Sequence, residues 1–149
     1  MGSKSDFEKM KPASDVLNEF GVENEIRVIS AHRAPELLHE YVKNAQKSGT
    51  KVFIAGAGAA AHLAGVIASL TTMPVIGVPV ESKSLKGLDS LLSTVQMPSG
   101  IPVATVAIDG SKNAGILAVE IIATGDSSLV KKLAEYRADM AEKIKNTKL

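Results

Sequence analysis

Cysteine is absent from this 149-residue chain, and aromatic residues make up only 3% of it, with no tryptophan. Without cysteine the protein cannot form disulfides, use a thiolate nucleophile or hold zinc through sulfur ligands. Charge of one sign is also missing, because 17 basic and 16 acidic residues leave a formal net charge of +1. This balance argues against a nucleic acid or an anionic membrane as partner.

The sequence has neither an apolar run long enough to span a membrane nor a secretory signal pattern, so we expect a cytoplasmic protein. Hydrophobic residues still account for 45% of the chain, and with so few aromatics the core must consist of Ala, Val, Ile and Leu. The length predicts a single domain over residues 1–149. This much apolar surface must be shielded from water, and contact with other subunits would do so, so an oligomer is favoured.

Apolar periodicity predicts alternating strands and helices. Strands are expected at 25–29, 52–55, 75–78 and 103–106, and helices at 6–20, 35–47, from the glycine-alanine loop to 70, 88–94, 113–123 and 127–145. In the first helix Ser5 and Glu8 have capping-box spacing, Pro12 predicts a kink, and Gly21 predicts the end. Strict alternation predicts a parallel sheet with helices on both faces.

The segment Ser30–Pro35 places an imidazole next to a fixed cation. His32 and Arg33 follow the predicted strand at 25–29, and Pro35 suits the first turn of a helix, so the pair lies on a strand-to-helix loop. Ligands of open α/β sheets bind outside the carboxyl ends of strands. His32 is therefore the first candidate for a catalytic residue.

The opening loop is a second candidate site, for an anion. Gly2 allows close backbone approach, Ser3 and Ser5 offer hydroxyl groups, and a helix with its positive dipole end begins at Asp6. The alternative is a plain helix cap. Loops of this kind normally follow a strand, and none precedes this one, so we expect an N-terminal strand to be missing from the sequence.

Two further stretches have both functional and structural interpretations. The small residues from Ala55 to Gly65 could contact a small planar ligand, or they could allow close helix-sheet packing with His62 hydrogen-bonded in the core. The stretch from Asp89 to Gly100 mixes polar and apolar residues before a proline-glycine turn. A subunit-packing helix and its loop is the favoured interpretation there.

Taken together, these motifs resemble the PurE family of purine biosynthesis over nearly the whole chain. The matching segments are Gly2–Asp6, Ser30–Pro35, Ala55–Leu63, Pro74–Pro79 and Asp89–Thr105. The resemblance implies a three-layer α/β/α sandwich of the flavodoxin-like type, assembled as a homo-octamer with active sites near subunit contacts. The family's strand order, 2-1-3-4-5, would make the missing strand a central one.

The PurE family has a mutase branch and a carboxylase branch. The mutase moves a carboxylate from nitrogen to carbon, converting N5-carboxyaminoimidazole ribonucleotide into 4-carboxy-5-aminoimidazole ribonucleotide, whereas the carboxylase adds CO2 directly. Arg33 and the runs 60–63 and 95–98 resemble the mutase branch, although Ala59 and Ala64 depart from its pattern. The alternatives are the direct carboxylase and a non-catalytic nucleotide-binding module.

The resemblance also implies roles for individual residues. His32 would be the general acid-base, since an imidazole exchanges protons near neutral pH. The ribose phosphate would be held by Ser3, Ser5, Asp6 and Arg33. The ring pocket would be lined by the backbone of Ser30 and Ala31, and the migrating CO2 would be surrounded by Gly56, Ala57, Gly58, His62 and Leu63. No cofactor or metal is implied, and a nucleotide is the expected small-molecule partner.

Overall fold

A computed structural model describes residues 1–147 of the chain. The predicted domain of residues 1–149 therefore includes two residues, 148 and 149, that lie outside the described range. A short 3-10 helix, Lys4–Asp6, precedes the first α-helix. The helices are α1 (Phe7–Phe20), α2 (Pro35–Lys47), α3 (Leu63–Leu70), α4 (Leu88–Val95), α5 (Ser111–Ala123) and α6 (Ser127–Lys145), and the strands are β1 (Phe53–Gly58), β2 (Val75–Val80) and β3 (Ala104–Thr105).

The three strands form a parallel sheet in the order β1-β2-β3. Phe53 pairs with Val75 and Gly58 with Val80, so the carboxyl ends of β1 and β2 are level. One apolar cluster joins α1, α5 and α6 to β2, and a second joins α2 and α3 to β1. Helices thus cover the sheet on both faces, which confirms the predicted α/β/α arrangement.

The prediction of a strand at 25–29 is wrong. This segment is not part of the sheet, and its side chains Ile26 and Val28 are exposed. Its backbone bonds instead to the start of the chain, with the Met1 nitrogen donating to the Arg27 carbonyl. A β-strand requires a neighbouring strand of some length, and only Met1 and Gly2 lie between this segment and β1.

Several element ends also differ from the predictions. The capping box at Ser5 is wrong, because the Ser3 hydroxyl accepts the bond from the Ser5 nitrogen and no side chain caps α1 itself. Gly21 ends α1 in the left-handed conformation as predicted. β2 continues through Pro79, whose carbonyl accepts from the Asp109 nitrogen.

The last predicted strand and helix change length for local reasons. β3 comprises only Ala104 and Thr105, because pairing with β2 stops after Gly77. α5 begins at Ser111, two residues earlier than predicted, and the Ser111 hydroxyl donates to the Lys9 carbonyl. This bond ties the start of α5 to the first turn of α1.

Candidate active site

Three loops meet at the carboxyl edge of the sheet. The Gly2 nitrogen donates to the Gly56 carbonyl over 3.2 Å. Arg33 lies on the loop before α2, and its Nη2 donates to the Gly2 carbonyl over 3.2 Å. The loops 2–6 and 30–34 and the end of β1 are therefore directly connected, which brings the first three predicted motifs into one site.

His32 and His62 are in direct contact in this site. Nε2 of His32 lies 2.9 Å from Nδ1 of His62, and the ring planes are perpendicular with centroids 5.0 Å apart. Both side chains are exposed, so His62 is not a core histidine. One nitrogen of this contact must donate and the other accept, so the contact couples the tautomers of the two rings.

The serine-rich loop presents hydroxyl groups at the start of α1. The Ser3 hydroxyl accepts from the Ser5 nitrogen at 3.3 Å and from the Ser5 hydroxyl at 2.9 Å. The Ser5 hydroxyl also lies 3.2 Å from a carboxylate oxygen of Asp6. This arrangement suits a ribose phosphate, because hydroxyls, a carboxylate for sugar hydroxyls and the positive end of a helix dipole lie together.

A tight turn directs His32 and Arg33 outward. The Ser30 carbonyl accepts from the Ala34 nitrogen over 2.9 Å, and the Ser30 hydroxyl accepts from the Arg33 nitrogen over 3.3 Å. Pro35 then occupies the first position of α2, where its lack of an N–H costs nothing. Ser30 and Ala31 are partly buried and form the base of this turn.

The small residues at the end of β1 and in the loop that follows it have different roles. A Cβ at Gly56 would overlap the Met10 sulfur, so the Met10 side chain, which packs against β1 at this point, would have to move. Ala57 and Gly58 are half-buried at the strand end, beside the loop that carries His62. Leu63 is buried in the α2–α3 cluster, so its side chain belongs to the core.

Ala59 has φ +55°, a left-handed conformation at the tip of the loop after β1. Its carbonyl accepts from the Ala61 nitrogen, and the Ala60 carbonyl accepts from the His62 nitrogen, both over 2.9 Å. This turn reverses the chain between β1 and α3. It thereby fixes the backbone from which the His62 side chain reaches His32.

Sequence reasoning missed an ionic cluster at the same edge of the sheet. Lys9, in the first turns of α1, donates to Asp109, and its Nζ lies 3.3 Å from Glu81. The Asp109 carboxylate also accepts from the Glu81 nitrogen over 2.9 Å. The bonds to both carboxylates raise the pKa of Lys9. A carboxylate following each of two parallel strands was the signal that could have indicated this cluster.

The stretch 89–100 has a polar inner side and an apolar outer side. The Ser90 hydroxyl is buried and donates to the Val80 carbonyl over 2.6 Å. The Ser82 hydroxyl donates to Asp89 over 2.7 Å, and this bond lowers the pKa of the carboxyl group. Leu88, Leu92 and Val95, in contrast, are about half exposed on the opposite side of α4. This arrangement is what a subunit-packing helix requires.

The described part of the chain has neither a cluster of metal-ligating side chains nor a membrane-spanning helix. Within residues 1–147, no three His, Asp or Glu side chains come close enough together to bind a metal ion. None of the helices in this range is both long and apolar enough to cross a membrane.

Comparison with known proteins places this site in a family. A family model described as AIR carboxylase matches residues 1–143. The chain belongs to the AIR carboxylase family. A Saccharolobus solfataricus relative named N5-carboxyaminoimidazole ribonucleotide mutase is 54% identical, covering 100% of this chain and 94% of its own length. A relative of the same name from Pyrococcus abyssi is 61% identical, covering 94% and 80%.

The solved structures include one with the same fold. The crystal structure of Treponema denticola PurE superposes with a TM-score of 0.89 at 32% identity, covering 97% of this chain and 90% of that one. The resemblance to the PurE family and the flavodoxin-like fold are thereby confirmed. The roles of individual site residues stay predictions.

Proposed function

We propose that the chain is an N5-carboxyaminoimidazole ribonucleotide mutase of purine biosynthesis. The observation that carries the proposal is the 2.9 Å contact between His32 and His62, next to the serine-rich loop at the start of α1. The printed names of the relatives at 54% and 61% identity support it. The product is 4-carboxy-5-aminoimidazole ribonucleotide.

The ribose phosphate binds at the start of α1. Ser3 and Ser5 donate hydroxyl hydrogens to phosphate oxygens, and Asp6 accepts from the ribose hydroxyls. Arg33 supplies a charge-assisted contact to the phosphate, and its bond to the Gly2 carbonyl supports this role by holding the guanidinium over the loop. The aminoimidazole ring then lies beside the turn formed by Ser30 and Ala31, within reach of His32.

His32 moves one proton in each half of the reaction. In the first half the bond between N5 and the carboxylate carbon breaks, CO2 leaves, and protonated His32 gives its proton to N5. In the second half C4 attacks CO2, and His32 removes the hydrogen that C4 still carries, which restores the aromatic ring. The protons balance over the cycle, so a single acid-base residue is sufficient.

His62 orients His32 and lies beside the CO2. Through the 2.9 Å contact it determines which nitrogen of His32 carries a proton before the substrate binds. Its position after Gly58, at the end of β1, supports a place next to the carboxylate that migrates. Ala57 and Gly58 form the adjoining wall, and Gly56 and Leu63 support that wall from the strand and the core.

The reaction needs a closed site, because free CO2 would escape into water. In the single chain His32, Arg33 and His62 are exposed, so a second subunit must supply the cover. The apolar side of α4 is a suitable contact surface for that assembly. The complete enzyme is a homo-octamer located in the cytoplasm, with residues 1–149 of each chain forming one domain.

A paired assay tests the proposed reaction. One arm measures conversion of N5-carboxyaminoimidazole ribonucleotide to the 4-carboxy product in CO2-depleted buffer. The other supplies aminoimidazole ribonucleotide with excess bicarbonate. Rapid turnover in the first arm at low CO2 is the expected result.

Two outcomes would contradict the proposal. Turnover in the second arm alone would make the protein a direct carboxylase. If a folded protein that still binds the nucleotide shows no turnover in either arm, it is a binding module.

A further inference from the structure

Lys9 joins the first turns of α1 to two other segments at the carboxyl edge of the sheet. Its Nζ donates to the carboxylate of Asp109, in the loop before α5, and lies 3.3 Å from Oε2 of Glu81, directly after β2. Its backbone carbonyl accepts from the Ser111 hydroxyl at the start of α5. The side chain and the backbone of this one residue are therefore both bonded to groups outside α1.

Asp109 is a fixed point to which α1 can be attached. Its backbone nitrogen donates to the Pro79 carbonyl over 2.8 Å, and its Oδ1 accepts from the Glu81 nitrogen over 2.9 Å, so the two bonds hold it against the end of β2. Its φ of +56° is a left-handed conformation that aspartate adopts more readily than most residues. The carboxylate thus uses one oxygen for β2 and the other for Lys9.

The start of α1 depends on this attachment, because few of its side chains are buried. None of the residues in the 3-10 helix Lys4–Asp6 is buried, and no side chain caps α1. Phe7 is exposed, and the first buried side chain of the helix is Met10. Helix ends with few buried contacts open most easily. The bonds of Lys9 therefore stabilise the turn that follows the serine-rich loop.

The charges around Lys9 favour a positioning role over direct contact with a phosphate. One ammonium group faces two carboxylates, so the cluster has an excess of negative charge and does not attract an anion. Arg33 differs, because its Nη2 bonds to the neutral Gly2 carbonyl and its charge stays available to a phosphate.

We propose that Lys9 is a positioning residue for the phosphate site and holds the start of α1 through its ion pair with Asp109. The role rests on the proposed function, in which Ser3, Ser5 and Asp6 bind the ribose phosphate. Since these groups are ordered before the ligand arrives, less conformational entropy is lost on binding, and KM is lower. Lys9 exchanges no proton with the substrate, so kcat does not depend on it.

Two variants remove the ion pair from opposite sides. Lys9→Met gives a side chain of similar length without the charge. Asp109→Asn keeps an oxygen acceptor for the Glu81 nitrogen and tolerates the left-handed conformation, so it removes only the charge that faces Lys9. Lys11→Met is the matched control, because Lys11 lies on the same helix but pairs with Asp15 within α1. Thermal melts show that each variant is folded, and if one is not, the other gives the same readouts.

Each of the two variants is expected to raise KM about three- to fivefold while kcat stays within about twofold. The double variant should raise KM no further than either single one, because both changes remove the same contact. Lys9→Arg keeps the charge and should restore most of the original KM. Amide exchange at Met10, the first intrahelical donor of α1, should become about threefold faster or more in both variants. Lys11→Met should change none of these quantities.

Three results would overturn the proposal. The first is an unchanged KM in Lys9→Met and Asp109→Asn, with or without a fall in kcat and Tm, since a purely structural residue gives that result. The second is a pair of KM increases that multiply in the double variant, as they do for independent residues. The third is unchanged exchange at Met10. Because exchange requires no turnover, it tests Lys9 even if the unmodified protein fails the paired mutase assay.

Discussion

At the scale of single residues, His32 and Arg33 are neighbours in the chain but have separable tasks. The ring of His32 contacts His62, whereas the guanidinium of Arg33 bonds to the Gly2 carbonyl in the serine-rich loop. In the proposed mechanism His32 acts at the reacting carbon and Arg33 binds the phosphate. Substitution of each should therefore change a different kinetic constant.

His32→Asn is expected to reduce kcat by about 100- to 10,000-fold, because it removes the group that exchanges protons with N5 and C4. Nucleotide affinity should stay close to that of the unmodified protein. Steady-state kinetics and calorimetric titration with the product measure the two quantities. His39→Asn, at an exposed histidine on α2, is the matched control and should change neither. Loss of nucleotide binding in His32→Asn would assign His32 a structural role instead.

Arg33→Ala is expected to raise KM about 10- to 100-fold with a smaller effect on kcat, since it removes a charge-assisted phosphate contact. Initial rates over a range of substrate concentrations separate the two constants. The control is Arg27→Ala, at an exposed arginine whose Nε pairs with Glu25. An unchanged KM in Arg33→Ala would remove this residue from the phosphate site.

At the scale of elements, α1 and α5 pack closely because Gly115 has no side chain. A Cβ there would clash with Val16 and lie 2.7 Å from the Ala13 carbonyl oxygen. The backbone of α1 cannot move aside cheaply, since α1 also carries the serine-rich loop and Met10 against β1. This contact links the core to the position of the site.

Gly115→Ala is expected to lower the free energy of unfolding by about 1–3 kcal/mol through overpacking. Urea denaturation followed by circular dichroism measures this value. Gly125→Ala is the control, because the nearest atom to its added Cβ lies at 3.9 Å. Equal stability of the two variants would show that α1 and α5 have room to separate.

The start of α6 gives a pH-dependent prediction. The hydroxyl and backbone nitrogen of Ser128 donate to Asp126 and lower the pKa of its carboxyl group below the ordinary 3.8. The carboxylate therefore stabilises the folded state above pH 3.8, and this contribution disappears as the pH falls through the lower, folded-state pKa.

Asp126→Asn keeps an acceptor at the cap but removes the charge. Its Tm should be lower than that of the unmodified chain at pH 6, and the difference should shrink below pH 4. Thermal melts at a series of pH values measure it. Asp139→Asn, which removes an exposed carboxylate further along α6, is the comparison. A Tm difference that persists undiminished at pH 2.5 would contradict the assignment.

At the scale of the whole molecule, the proposed assembly would use apolar surface that the single chain leaves exposed. Leu88, Leu92 and Val95 follow each other along one side of α4 with about half of each side chain exposed. The inner side of the helix is held by buried Ser90 and Thr94 hydroxyls. The outer side is thus free to contact another copy without disturbing the fold.

If the chain forms the proposed octamer through this side of α4, Leu92→Glu is expected to convert it into smaller species, because the substitution places a charge in the proposed apolar contact. Mutase activity should fall together with the mass, because in the smaller species no neighbouring subunit would shield His32 and His62 from water. Size-exclusion chromatography with light scattering measures the mass. Val130→Glu adds the same charge at an equally exposed apolar residue on α6 and should leave the mass unchanged. An intact octamer in Leu92→Glu would exclude this side of α4 as a contact.

Much of this molecule follows from local chemistry in the chain. Strand-like and helix-like spacings of apolar residues alternate along the chain, and each spacing indicates which side of an element is buried. This pattern is sufficient to predict the parallel sheet with helices on both faces. Gly21 and Pro35 mark a helix end and a helix start through their own backbone preferences. The motif around His32 identified the site, since its loop follows an apolar segment and its residues match a known family.

Other features were decided only when distant parts of the chain came together. Residues 25–29 have the composition of a strand yet form none, because a strand exists only with a partner along its length. The same holds for the pairing of His32 with His62 and for the cluster of Lys9, Glu81 and Asp109. These contacts join residues 30 to 100 positions apart, and no local pattern specifies a distance across the sheet.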